Sequence, residues 1–303
     1  MPSLGLGLGL HKGVPTFNGL LDYYGGAAAA YSLRALSRGW LAGDVVEVRR
    51  SSDSATQDFT ASQITNGDLV AFCGVGDGFV STWYDQSGNA NNATQATTTA
   101  QPKIVDAGAL VEDSNGNPWI DFQNAAGGSI GLDLASNIRE TNGASSIFAS
   151  IKFDEIFTGA SEFQNPIFLY DTQRWLVSNT TETSYQDIAI SDAGGIIGDF
   201  RYVRFPSTLT NHNLLSSIYD GSSTTGGGKP DIQFDENAVS QVGTDGDIAF
   251  GVPTTGNNSI GYRVDTSNQG CNAKFQEVII YDSDQSANRA AIESNINAAY
   301  SIY

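Results

Sequence analysis

The chain has 303 residues, of which 40% are hydrophobic, 10% aromatic and only 16% charged, and its 15 Lys and Arg against 33 Asp and Glu give a formal charge of −18. The apolar and aromatic content excludes disorder, and the negative balance excludes nucleic acid as a partner, because phosphate neutralisation needs a positive surface. Two histidines, His11 and His212, exclude a histidine-rich metal site and argue against a histidine triad, and two cysteines, Cys73 and Cys271, are too few for a disulfide framework.

The N-terminal stretch alternates glycine with Leu4, Leu6, Leu8 and Leu10, which puts the leucines on one side of an extended chain. It lacks the basic n-region and small-residue cleavage site of a secretory signal. No stretch approaches the ~20 apolar residues of a membrane helix, so membrane insertion is not expected. Residues 1–25 are read as an arm, either docked on another protein or disordered, and residues 26–303 as one domain. Ala27–Arg38 is Ala- and Leu-rich and closed by Gly39, which predicts a short helix.

Beyond it the texture is β: short runs rich in Val, Ile, Phe, Tyr and Trp, separated by Gly, Asn, Asp, Ser and Thr. Predicted strands are 45–50, 79–84, 103–105, 119–122, 146–153, 167–170, 174–178, 186–190, 199–205, 214–219, 231–234, 247–252, 259–264 and 273–281. Residues 221–228, GSSTTGGG, read as a long hairpin tip. From about Ser286 to Tyr303, Ile292, Ile296, Ala299, Tyr300 and Tyr303 recur at helical spacing, with Asp284 or Ser286 as the cap. The fold class is therefore mainly β: an antiparallel sandwich or jelly roll with one early helix and one C-terminal helix.

Three blocks carry a resemblance. They are AAAAYSLRAL with VVEVRRSSDSATQDF within 27–59, GFVSTWYDQSGNANNATQ at 78–95 with NGNPWIDF at 115–122, and AKFQEVIIYDSDQSANRAAIESNINAAY at 273–300. Their order resembles the concanavalin A-like, or laminin G-like, jelly roll of phage tail and virion proteins. The YDQSGN segment is similar to that of family-54 α-L-arabinofuranosidase catalytic domains. The virion resemblance implies a non-catalytic structural protein, a decoration, fibre or tail adhesin assembled in a host cytoplasm. It would be a homo-oligomer, bound to other virion proteins through Leu4, Leu6, Leu8 and Leu10, with a host glycan as a further partner.

The arabinofuranosidase resemblance implies a retaining glycosidase, which needs two carboxylates. Asp265, in VDTSNQGCNAKFQEV, matches the family's acid/base position. The family's nucleophilic glutamate has no equivalent in GDFRYVRFPST at 198–208, which supplies only Asp199. Alternation along AKFQEVII is read as setting Glu277 opposite the Phe275 set and toward solvent, which makes it the other partner candidate. One carboxylate without its partner cannot run double displacement, so the chain is expected not to be an enzyme.

The turn after the 79–84 strand has two readings. Asp85 folds its carboxylate onto backbone donors ahead and Gly88 supplies a positive φ, or Asp85, Gln86 and Asn89 line a sugar- or calcium-binding edge. No calcium loop of recognisable spacing is present, and no cofactor is expected. Trp40, Trp83, Trp119 and Trp175 default to the core, with Trp175 and Tyr202 as the alternatives for stacking on a sugar. Asp53, after Arg49 and Arg50, is read as a turn anchor.

Overall fold

The computed structural model describes residues 17–125, 128–134, 138, 144–155, 163–169, 173–179, 186–191, 200–205, 210–219, 232–241, 244–246, 258–262 and 270–303. In chain order the strands are β1 Ala27–Ser32, β2 Asp44–Arg50, β3 Thr56–Thr60, β4 Gly78–Trp83, β5 Ala93–Thr94, β6 Lys103–Asp106 and β7 Ala109–Leu110. There follow β8 Ile120–Gln123, β9 Leu132–Leu134, β10 Ser145–Phe153, β11 Phe163–Leu169, β12 Gln173–Asn179, β13 Gln186–Ser191 and β14 Phe200–Phe205. The last are β15 His212–Tyr219, β16 Ile232–Glu236, β17 Val239–Gln241, β18 Thr244–Gly246, β19 Asn258–Ile260 and β20 Asn272–Tyr281. The helices are α1 Leu20–Tyr23, α2 Ala61–Thr65, α3 Asp68–Cys73 and α4 Arg289–Tyr300.

All the pairings between these strands are antiparallel, and they form a sandwich. One layer runs β17–β16–β15–β10–β20, with β1 and β8 sharing the far edge of β20. The other runs β3–β2–β4–β5–β9–β19–β11–β12–β13–β14–β18. β6 pairs with both β4 and β8 and joins the two layers. Alternation explains the filling: Val46, Val48, Val80 and Ile260 from one layer meet Ile147, Ile151, Phe275 and Val278 from the other in a single buried cluster.

A second cluster lies on the outer face of the first layer. There Ala30, Phe148, Leu214, Ile279 and Tyr281 are covered by Leu20 of α1 and by Ile292, Ile296 and Tyr300 of α4. Burying each isoleucine contributes about 1.5–3 kcal/mol. The C-terminal helix is thus where the spacing predicts it, although it starts later. Asn288 stands at its N-cap without a side-chain cap, Asp284 accepts from the Ser286 N–H in the preceding turn, and Tyr303 lies beyond the helix, exposed.

The early helix is corrected. Ala27–Ser32 is a strand, paired with β20 from Ala27 opposite Tyr281 to Ser32 opposite Glu277. Alanine propensity is weak beside the burial gained by slotting small side chains into a sheet that is covered on both faces. The helices of this half lie elsewhere. A capping box, in which the Thr60 hydroxyl accepts from the Gln63 N–H and Gln63 accepts from the Thr60 N–H, starts α2, and Gly67 and Gly74 bracket α3. Of the expected arm, residues 1–16 with Leu4, Leu6, Leu8 and Leu10 lie outside the described residues, whereas Leu20 is fully buried under α4. The 247–252 strand and the 221–228 tip also lie outside them.

Asp53 anchors its turn: Arg50 donates to both carboxylate oxygens, at 2.8 and 2.7 Å, and the Ala55 N–H donates at 3.0 Å. Those bonds hold its carboxyl down at about 2. Cys73 and Cys271 are both buried and free, and burial pushes the Cys73 thiol up to about 11 and the Cys271 thiol higher still, so neither is a nucleophile.

His212, on β15, packs edge-on against Trp119 with ring centres 4.6 Å apart and shares a 2.8 Å hydrogen bond with the Ser150 hydroxyl. Burial lowers it from 6.5 to about 4, with Asp113 opposing and Lys152 adding to the shift. Between those values the unfolded chain holds the extra proton, so the stabilisation is complete above 6.5 and is lost as pH falls toward 4. His212→Gln is expected to flatten this slope, read as the urea midpoint against pH. An unchanged slope would show that other groups govern the acid limb.

Candidate functional site

The segment after β4 acts first as a clasp. Asp85 Oδ1 accepts from the N–H groups of Ala30, at 2.8 Å, and Ser87, at 2.9 Å, and Oδ2 accepts from the Ser87 hydroxyl, at 2.7 Å, and the Asn91 N–H, at 3.0 Å. Gln86 accepts from the Leu36 N–H and donates to the Ser32 and Arg34 carbonyls. Asn89 donates to the carbonyls of Ala27 and Ala28, and Asn91 to that of Ala28. Gly88, at φ 92°, makes the reversal that brings these side chains back onto β1. The small alanines of β1 leave room for this.

The ligand-binding expectation for Asp85 and Gln86 is thereby corrected. The two residues are 2% and 4% exposed, and their side-chain oxygens are turned onto the chain's own backbone. Asn89 is exposed, yet its amide nitrogen is held by β1. Among the described residues no group of three or more His, Cys, Asp or Glu is arranged to hold a metal ion.

The outer wall of the clasp borders a groove of about 450 Å³, lined by Trp40, Gly43, Asp44, Tyr84, Asp85, Gly88, Ala90 and Asn92. Trp40 is half-buried here, whereas Trp83 and Trp119 are core residues as expected. Its indole N–H donates to the Asp44 carbonyl at 3.1 Å, and its ring lies so close to Gly43 that a Cβ there would sit 2.9 Å from Nε1. The Tyr84 hydroxyl donates to Asp58 at 2.6 Å, and its backbone N–H donates to the Val45 carbonyl. Burial and the neighbouring Asp58 both push the Asp44 carboxyl up, and burial with Asp58 pushes the Tyr84 phenol up. None of Trp40, Asp44 and Tyr84 stands out from periodicity. The signal for Trp40 is its setting, RGWLAG, where glycines on both sides mark a turn rather than a core strand.

Glu277 is also corrected. Its face is the expected one, but not through alternation, which would leave it with Phe275: Ser150 pairs with Glu277 while Ile151 pairs with Phe275, so Gln276 is an extra residue, and it is the solvent exposure that fails. The bulge turns Glu277 to the outer face, and α4 seals that face. Glu277 is fully buried, receives two bonds from Arg34 at 2.7 and 3.0 Å, and accepts from the hydroxyls of Ser32 and Tyr300. A carboxylate so enclosed has no access to a substrate.

Of Trp175 and Tyr202 the backbone alone is described: they sit on β12 and β14, Trp175 opposite Ile167 and Tyr202 opposite Ala189 and Thr244. Asp199 and Asp265 lie outside the described residues. By chain order Asp199 directly precedes β14 and Asp265 follows β19, two strands of the same layer.

The model of a family described as alpha-L-arabinofuranosidase B, catalytic, matches residues 24–118. Among solved structures, an arabinofuranosidase complexed with arabinofuranosyl-α-1,2-xylobiose aligns with a TM-score of 0.60 at 17% identity, covering 90% of this chain and 63% of that one. A glutamate-to-glutamine mutant of a GH54 α-L-arabinofuranosidase soaked with 4-nitrophenyl α-L-arabinofuranoside aligns at 0.57 and 16% identity over the same shares. A GH54 enzyme soaked with a cyclic sulfate inhibitor aligns at 0.52 and 15%, again over 90% and 63%. The chain therefore spans less than two thirds of the length of these structures. No curated protein matches it.

These findings correct the expectation of a non-catalytic virion component. The matching family model and these three solved structures are those of arabinofuranosidases. The mainly β, antiparallel sandwich stands as expected.

Proposed function

We propose that the chain is a glycoside hydrolase of the α-L-arabinofuranosidase type, acting on arabinofuranosyl groups carried on a neutral glycan. The observation that supports this most is the arabinofuranosidase catalytic model matched over residues 24–118, which takes in the whole clasp. In the proposed double displacement the second carboxylate attacks the anomeric carbon while Asp265, the acid/base, protonates the departing glycosidic oxygen; Asp265 then takes a proton from the water that attacks the same carbon and releases the carboxylate. Of the two partners suggested by the sequence, Glu277 is removed by its burial against Arg34, which leaves Asp199 as the second carboxylate.

The test is the hydrolysis of 4-nitrophenyl α-L-arabinofuranoside by the full chain and by two variants. Asp265→Asn is expected to lower the rate by about a hundred- to ten-thousand-fold, the usual contribution of a positioned proton donor. Asp199→Asn is expected to fall at least as far. A wild-type rate in Asp265→Asn would remove that residue from the mechanism.

A further inference from the structure

We propose that the groove between Trp40 and Tyr84 is a binding site for a neutral glycan chain. It rests on the hydrolase reading and deepens it, by naming a site for the neutral glycan that carries the arabinofuranosyl groups.

Trp40 is a large aromatic ring left half-buried at the surface: part of it packs against the core cluster, Nε1 bonds to the Asp44 carbonyl, and the ring sits close on Gly43. A ring held in this way loses little freedom on binding, so its apolar area is available for stacking at low entropic cost. The C–H face of a pyranose or furanose is the flat, weakly apolar surface that such a ring accepts. A volume of about 450 Å³ falls within the range of small-ligand sites.

The polar groups around the ring fit hydroxyls. The Asp44 carboxylate accepts no hydrogen bond from the described residues, and it stands at the start of β2, where the sheet fixes its backbone. Asn92 uses its amide oxygen on the Asp85 N–H at 3.0 Å, which leaves its NH₂ as a donor on the groove wall. An acceptor and a donor beside an aromatic platform meet the alternating needs of neighbouring sugar hydroxyls. Tyr84, tied to Asp58, closes the far side.

Charge chooses between glycans. Asp44 lines the groove, and Asp58 stands behind it, bonded to Tyr84 and close enough to act on Asp44, in a chain of net charge −18, so uronates and sulfated sugars are repelled while neutral chains are not. The clasp explains the siting: Asp85 borders the groove and its four accepted bonds hold the wall rigid.

The experiment is calorimetric titration of the full chain with xylohexaose, an unbranched neutral chain without arabinosyl groups, in wild type, Trp40→Ala, Trp40→Phe and Asp44→Asn. Tri-galacturonate is the anionic control, and circular dichroism confirms the fold of each variant. Xylohexaose is expected to bind the wild type, and Trp40→Ala to weaken it by about tenfold or more. Trp40→Phe should retain part of the affinity, Asp44→Asn should lose part, and tri-galacturonate should not bind. Absence of xylohexaose binding, or equal binding by folded Trp40→Ala, would overturn the proposal. A wild type that binds through Trp40 yet releases no arabinose overturns the hydrolase reading alone, and one that releases arabinose without binding xylohexaose overturns the groove alone.

Discussion

Replacing Arg34 by Met is expected to destabilise the fold by about 3–5 kcal/mol, the cost of leaving a buried charge without its partner. Glu277 is fully buried and Arg34 grips it through Nε and Nη2, while Arg34 also donates to Asn295 of α4 at 2.9 Å. The pair ties β1, β20 and α4 at one point. Without the guanidinium, the carboxylate keeps the Ser32 and Tyr300 hydroxyls, which do not neutralise it. The double variant Arg34→Met with Glu277→Met should recover most of the loss, since an apolar pair of similar volume removes both charges at once. Urea unfolding of the single and double variants measures this. A single variant within about 1 kcal/mol of wild type would show that water reaches Glu277 and that α4 does not seal it.

Asp85→Ala is expected to cost about 3–5 kcal/mol, because several buried donors lose their acceptor together. The Ala30 N–H is the most exposed to this loss, since it lies in β1 within the core cluster under α4. Ser87→Ala removes only one of the donors and should cost about 1 kcal/mol. The ratio between the two distinguishes a clasp from an ordinary surface turn. Equal, small effects in the two variants would mean that β1 is held by its pairing with β20 alone.

The strands were legible because most of them alternate or run continuously apolar between turn residues, and β2 shows why: Val46 and Val48 face the core, and Glu47 and Arg49 do not. The helices were legible only where a stripe or a stop signal dominates. α4 announces itself through Ile292, Ile296 and Tyr300, whereas the alanines of β1 carry a helical preference that the neighbouring strand and the clasp override. The same limit applies to Glu277. Its surroundings depend on a bulge at Gln276 and on a helix that arrives later in the chain, and neither can be read from the strand itself. Asp85 and Gln86 look like binding residues because carboxylates and amides in a Gly- and Asn-rich turn serve ligands and backbones equally well. Only the approach of β1 decides between them. Trp40 lies between the two: the ring packs against the core cluster, as an aromatic does by default, and the glycines beside it were the available sign that part of it stays at the surface.

The most direct test of the account is to incubate the full wild-type chain with arabinofuranosyl-α-1,2-xylobiose and follow the products by chromatography and proton NMR. Free arabinose and xylobiose are expected in equal amounts, with the rate lowered by about a hundred-fold or more in Asp265→Asn. Intact trisaccharide after prolonged incubation with stoichiometric folded protein would contradict it.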